Sequence, residues 1–274
     1  MKKRLIILII LSLLLCLTAC KENTPPPTDP TPPTVPKPTT KTVYVHTAVT
    51  QEFGSTVSRT EYLFNELDRV YEVVVYTNDE ETNRYSVDCD ENGNYIKWTC
   101  DGSVTEYAYD DQGHSLGLKV YISDELVSST QYTWENGHRT SITTTIASQG
   151  MTQRAIMTYD NSGHLLRQDT YTADTLSSYS IYATDTQGRI TAMNVYQPDG
   201  TLFYTSTYAW ENNTETVTTT RPDDTVIQTT VITYDEHGNL LSQVVYDGEN
   251  NIISKETHSW KAVVVPLDCP RASV

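Results

Sequence analysis

The chain reads as an all-β protein: an antiparallel meander of about eighteen strands, built from hairpin repeats of about 25 residues and carried as a twisted or curled extended sheet. Three observations carry that reading. Asp- or Glu-led turns ending in Gly recur at a nearly fixed step. The segments between them are rich in Thr, Val, Ile and Tyr. From Val43 to Trp260 no stretch keeps a helical period.

The turns are Asp90-Glu91-Asn92-Gly93, Asp110-Asp111-Gln112-Gly113, a shortened Glu135-Asn136-Gly137, Asp160-Asn161-Ser162-Gly163, Asp185-Thr186-Gln187-Gly188 and Asp235-Glu236-His237-Gly238. With Asn65, Glu211 and Lys261 added as anchors, the steps are 25, 20, 25, 25, 25, 26, 24 and 26 residues. In Asp-x-x-Gly the Asp side chain can accept from the backbone ahead of it, and Gly takes the left-handed position of a bulged turn. Gln197-Pro198-Asp199-Gly200 is the same device with Pro fixing φ. Glu135-Asn136-Gly137 reads as a two-residue Asn-Gly turn. A second polar turn follows most anchors, and only Gly54 and Gly117 fall outside the two turn sets.

Strands of eight to ten residues are expected between these turns. Tyr or another large apolar residue stands one and three positions before most anchors, as at Tyr107 and Tyr109, Tyr132 and Trp134, and Tyr208 and Trp210. Tyr recurs eleven after several anchors, at Tyr76, Tyr121, Tyr171, Tyr196 and Tyr246. In a meander these positions become cross-strand rows, worth roughly 0.2–1 kcal/mol per aromatic pair.

From about Glu61 to Trp260 the pattern resembles the YD-repeat (RHS-repeat) family, in Thr158-Tyr159-Asp160-Asn161-Ser162-Gly163-His164-Leu165 and Thr233-Tyr234-Asp235-Glu236-His237-Gly238-Asn239-Leu240. The resemblance implies a curling β-sheet that serves as shell or surface display. No toxin domain is expected after the repeats.

Met1-Lys2-Lys3-Arg4 and the apolar run Leu5 to Cys16 have the layout of a secretory signal. Leu17-Thr18-Ala19-Cys20 resembles the bacterial lipoprotein signal. That resemblance implies a signal peptide over 1–19, cleavage before Cys20, and palmitate-type acyl chains holding Cys20 in a membrane. An ordinary signal peptide or an uncleaved anchor are the other readings. Residues 20–41 hold most of the prolines and read as a disordered Pro/Thr tether, the repeat domain covers 42–260, and 261–274 is a tail.

The chain carries −16; removing the three charges of Lys2, Lys3 and Arg4 with the signal gives −19. Such acidity excludes nucleic acid as a partner. Cys16 leaves with the signal and Cys20 is lipidated, so Cys89, Cys100 and Cys269 remain. Cys89 and Cys100 fall at opposite ends of one predicted hairpin, near 20 Å apart and beyond disulfide reach.

Asp88-Cys89-Asp90-Glu91-Asn92-Gly93 has the start of a calcium loop, but Thr99 stands where the bidentate acid belongs. His114, His138 and His164 follow or close successive turns, yet those turns lie about 9.6 Å apart, too far to share a zinc ion. Asp223-Asp224 and Glu80-Glu81 read as solvated corners. No metal, cofactor or catalytic residue is assigned, and the chain is expected to be non-enzymatic. The expected role is a lipid-anchored, extracytoplasmic surface module that binds a glycan or protein through Tyr132, Trp134, Tyr182, Tyr208 and Trp210. The other reading is a structural spacer without a ligand. Exposure of those five in one patch favours binding; burial inside a curl favours the spacer.

Overall fold

A computed structural model describes residues 40–267. The strands are β1 (Thr40–Phe53), β2 (Thr56–Phe64), β3 (Val70–Thr77), β4 (Glu80–Cys89), β5 (Tyr95–Cys100), β6 (Ser103–Tyr109), β7 (Ser115–Ile122), β8 (Glu125–Glu135) and β9 (His138–Ile146). After a 3₁₀ turn at Ala147–Gln149 come β10 (Met151–Tyr159), β11 (Leu165–Thr172), β12 (Thr175–Thr184), β13 (Ile190–Tyr196), β14 (Leu202–Glu211), β15 (Thr214–Thr220), β16 (Val226–Tyr234), β17 (Leu240–Asp247) and β18 (Ile252–Pro266). Each strand pairs antiparallel with its sequence neighbours, as the hairpin train requires.

The extended sheet is corrected by a closed barrel. β1 pairs with β18 from Thr40↔Pro266 to Phe53↔Ser254, with a bulge between His46 and Ala48. Closure removes the two edges that a long open sheet would leave unpaired. The last anchor is also corrected: Lys261 makes no turn but pairs with Val45 inside β18, so the segment read as a tail begins within a strand. Residues 1–39, with Cys20 and the Pro/Thr tether, and Cys269 lie outside the described residues.

Turn chemistry follows the sequence. At Asp90, Asp110, Asp160, Asp185 and Asp235 the carboxylate Oδ1 accepts from the backbone N–H groups two and four residues on. The turn glycine N–H donates to the Asp carbonyl. Gly163 has φ +82°, and a Cβ there would also stand 2.6 Å from His138 Nε2. The Asn136-Gly137 turn takes φ of 52° and 76°, the two-residue form expected of it. Gly54, outside both turn sets in sequence, turns β1 into β2 with φ +58°.

Pairing fixes two faces. Tyr62, Val73, Tyr85, Val87, Trp98 and Tyr107 share one, and Glu61, Glu72, Arg84, Lys97 and Glu106 share the other. The aromatic face is the concave one: Tyr62 of β2 reaches Trp98 of β5 over two intervening strands, ring centroids 6.5 Å apart. The best-packed corner lies here, around Val70, Val73, Val87 and Tyr95. The outward face carries Arg59, Arg84, Lys97, Lys119, Arg154, Arg167 and Lys255 at mid-strand, with acids between them. A cationic side chain facing lipid costs about 2–4 kcal/mol at the bilayer midplane, so this is a water-facing exterior.

Candidate functional site: the aromatic inner wall

The closed barrel places the aromatic rings of the concave face on the wall of its lumen. Among strands of this number the lumen is wider than side chains can fill. Tyr132, Trp134, Tyr182, Tyr208 and Trp210 all lie on this wall, half-buried. They do not form one exposed patch. Tyr132 and Trp134 stand on β8, Tyr182 on β12, and Tyr208 and Trp210 on β14. Arg139 and Tyr159 bridge the first group to the second. The Arg139 guanidinium lies over Tyr132 at 4.5 Å and over Trp134 at 4.9 Å. Burial raises the Tyr159 phenol, offset in part by the Arg139 charge, and raises that of Tyr182, with Tyr204 and Tyr159 adding to it.

Several aromatics at the position before the anchors also close the sheet's rim. Trp134 Nε1 donates to the Ser115 carbonyl at 2.8 Å and Tyr159 Oη to the Arg139 carbonyl at 2.8 Å. Trp260 Nε1 donates to the Leu240 carbonyl at 2.6 Å. Each acceptor lies within the first two residues of the neighbouring strand, beyond its last ladder pair with the donor's strand, where a carbonyl would otherwise lack a partner. The row eleven residues after the anchors takes the outward face instead, where Arg59 covers Tyr76 at 4.3 Å and Arg154 covers Tyr171 at 5.0 Å.

Burial raises the inner phenols: Tyr109 and Tyr208 are pushed up to about 12, with nearby acids and phenols adding to the effect. They are neutral donors and stacking surfaces at physiological pH. Glu215, 3% exposed, is raised by burial, against the Tyr234 hydroxyl that donates to it at 2.9 Å.

The histidines singled out in sequence do not converge. His114 bonds Asp110 at 2.9 Å and stacks on Trp134, His164 bonds Asp160 at 3.1 Å, and His138 packs against Tyr159. In the calcium-like segment Asp90 is committed to its own turn, accepting from the N–H groups of Asn92 and Asn94 and from the Asn94 side chain. No metal-binding group of His, Cys, Asp or Glu is found among the described residues. No disulfide joins Cys89, whose thiol donates to the Val70 carbonyl at 3.3 Å, to the buried Cys100.

With this geometry in view, the similarities to known proteins can be placed. A family model described only as an uncharacterised protein matches residues 99–232. No curated protein matches the chain. Among solved structures, a porin-like protein of Bacteroides vulgatus ATCC 8482 is similar at TM-score 0.36 and 9% identity, covering 79% of this chain and 98% of that one. A protein of unknown function from Bacteroides fragilis NCTC 9343 is similar at TM-score 0.26 and 14% identity, covering 52% and 94%. The TcdB2–TccC3 structure, an RHS/YD-repeat toxin, is similar at TM-score 0.22 and 12% identity over 70% of this chain and 14% of that one.

One group escaped the sequence reading. His46 of β1 and Glu256 and His258 of β18 meet at the closing seam. His46 Nε2 and His258 Nδ1 are 3.1 Å apart, and His258 Nε2 lies 2.7 Å from Glu256 Oε1, close but poorly aligned for a hydrogen bond. Gln51 donates to the other Glu256 oxygen. His46 stacks on Trp260 at 3.7 Å. The relay joins residues more than 200 positions apart, so no spacing rule could have found it.

Proposed function

We propose that the protein is a non-enzymatic binding module, held by a lipid on Cys20 at the extracytoplasmic face of a membrane, whose barrel takes a glycan or a protein segment against its aromatic inner wall. The observation that carries this reading is the half-buried state of the Tyr and Trp rings on the inner wall of a closed barrel of eighteen strands. Such rings beside Thr and Ser hydroxyls suit stacking on sugar faces. The water-facing exterior agrees with a tether rather than an embedded wall. The spacer reading is favoured by one observation, the use of Trp134, Tyr159 and Trp260 as donors to the sheet's own carbonyls.

A glycan array and a cell-surface pull-down with the purified full chain separate the two. A specific hit that weakens in Tyr182→Ala and Tyr208→Ala supports the module, since neither residue is a rim donor. Blank results on both sides leave the spacer. Retention of Cys20→Ala in the membrane fraction would overturn the lipid anchor.

A further inference from the structure

Arg139 stands apart from the other basic residues of the barrel. Of the Lys and Arg residues in the described strands, it is the one that pairing places on the inner face, opposite Trp134. Arg59, Arg84, Arg154, Arg167 and Arg189 each meet a carboxylate: Glu61, Glu72 with Glu81, Asp174, Asp169 and Asp185. Arg139 meets none among the described residues, in a chain whose net charge is −16. Its Nε is buried without a hydrogen-bond partner. Burial holds the guanidinium below its usual range, and the neighbouring Tyr132 and Tyr159 offset this only in part.

The stacking explains how the group is held. The guanidinium carbon lies over the Tyr132 ring at 4.5 Å and the Trp134 ring at 4.9 Å, a placement that holds the fork against the wall and leaves its N–H groups as the polar surface. A planar guanidinium edge suits a carboxylate, which it can grip with two parallel hydrogen bonds. The hydroxyl of Tyr159 is already spent on the Arg139 carbonyl, so the ring beside the fork is positioned and the charge is not.

We infer that Arg139, framed by Tyr132, Trp134 and Tyr159, is the anchor for a saccharide that carries a carboxylate, the acid gripping the guanidinium edge while the sugar ring lies along the aromatic wall. This rests on the binding reading above and narrows it from glycans in general to acidic ones.

Isothermal titration of the full chain with a tri-galacturonate and with the neutral galacto-trisaccharide tests both levels. The expected result is at least tenfold tighter binding of the acidic sugar, weakening as salt rises. Arg139→Met is expected to remove that preference, and Arg139→Lys to keep only part of it, because a lysine supplies the charge without the fork. Equal affinity of the intact protein for both sugars overturns the Arg139 assignment and leaves the binding module standing. Binding of neither overturns the saccharide proposal as well. The comparison of sugars on the intact protein needs no variant, so it stands even if Arg139→Met fails to fold.

Discussion

His46 and His258 meet ring to ring across the seam that closes the barrel, Nε2 to Nδ1 at 3.1 Å. Burial pulls His46 down from 6.5 to about 4, the charge of His258 adds to the effect, and Glu256 opposes it. A histidine with a folded pKa below its unfolded one binds fewer protons in the folded state, so its neutral form costs nothing above pH 6.5. Stability is then lost as pH falls from about 6.5 towards about 4. Burial raises the Glu256 carboxyl, but the close His258 ring and the hydrogen bond from Gln51 outweigh it and leave the group lowered. Its contribution is also lost on acidification. The loss attributable to His46 is on the order of 2–3 kcal/mol between pH 7 and pH 4. Urea midpoints at those two pH values should differ by clearly less in His46→Phe than in the parent. An equal difference in both would remove His46 from the account.

Glu215 predicts the opposite slope. Burial raises its carboxyl, so stability falls as pH rises from about 4.5 through the raised value. Glu215→Gln keeps an acceptor for the Tyr234 hydroxyl and removes the charge that burial penalises. The variant should melt higher than the parent at pH 8 and no higher at pH 4. A lower melting temperature at pH 8 would show that the carboxylate is stabilised by something other than that hydroxyl.

The rim donors should be worth about a hydrogen bond each. Tyr159→Phe keeps the ring against His138 but leaves the Arg139 carbonyl, bonded at 2.8 Å in the parent, without its donor. The expected cost is about 1 kcal/mol, and up to about 3 if no water reaches the carbonyl. Tyr204→Phe, whose inner-wall phenol is raised by burial alone, is the matched control. Chemical denaturation should separate the two, and equal midpoints would mean that solvent already satisfies that carbonyl.

Local chemistry was legible and closure was not. The Asp-x-x-Gly turns, the strand order and the strand number could be read because each depends on residues within one hairpin. The aromatic rows could be assigned to phases but not to faces: Tyr132 and Tyr121 look alike in sequence, yet pairing sends the first inward and the second outward. Whether the sheet closes depends on the match of β1 to β18, two segments that no local pattern relates. The seam relay was lost with it, since His46, Glu256 and His258 become neighbours only when those strands pair. Arg139 was hidden differently. Its sequence neighbours are ordinary turn residues, and it stands out only once all the other strand cations are seen to face water.

Gly117 is the position where the repeat tolerates least. It lies in mid-strand in β7, opposite Gln131 of β8, with φ +137°. A Cβ there would stand 2.0 Å from the Thr130 carbonyl oxygen, a backbone atom that cannot swing aside. Accommodation therefore requires β7 and β8 to separate, at the stretch of wall that carries Tyr132 and Trp134. Gly117→Ala should cost about 3 kcal/mol or more, combining backbone strain with loss of ladder pairing. Gly54→Ala provides the comparison, because it shares the positive φ, at +58°, but has open space around it. Its cost should be the left-handed penalty alone, about 1–2 kcal/mol. Thermal melts of the two variants should thus differ by several degrees, and a Gly117→Ala melt no lower than that of Gly54→Ala would mean that the β7–β8 ladder yields without loss.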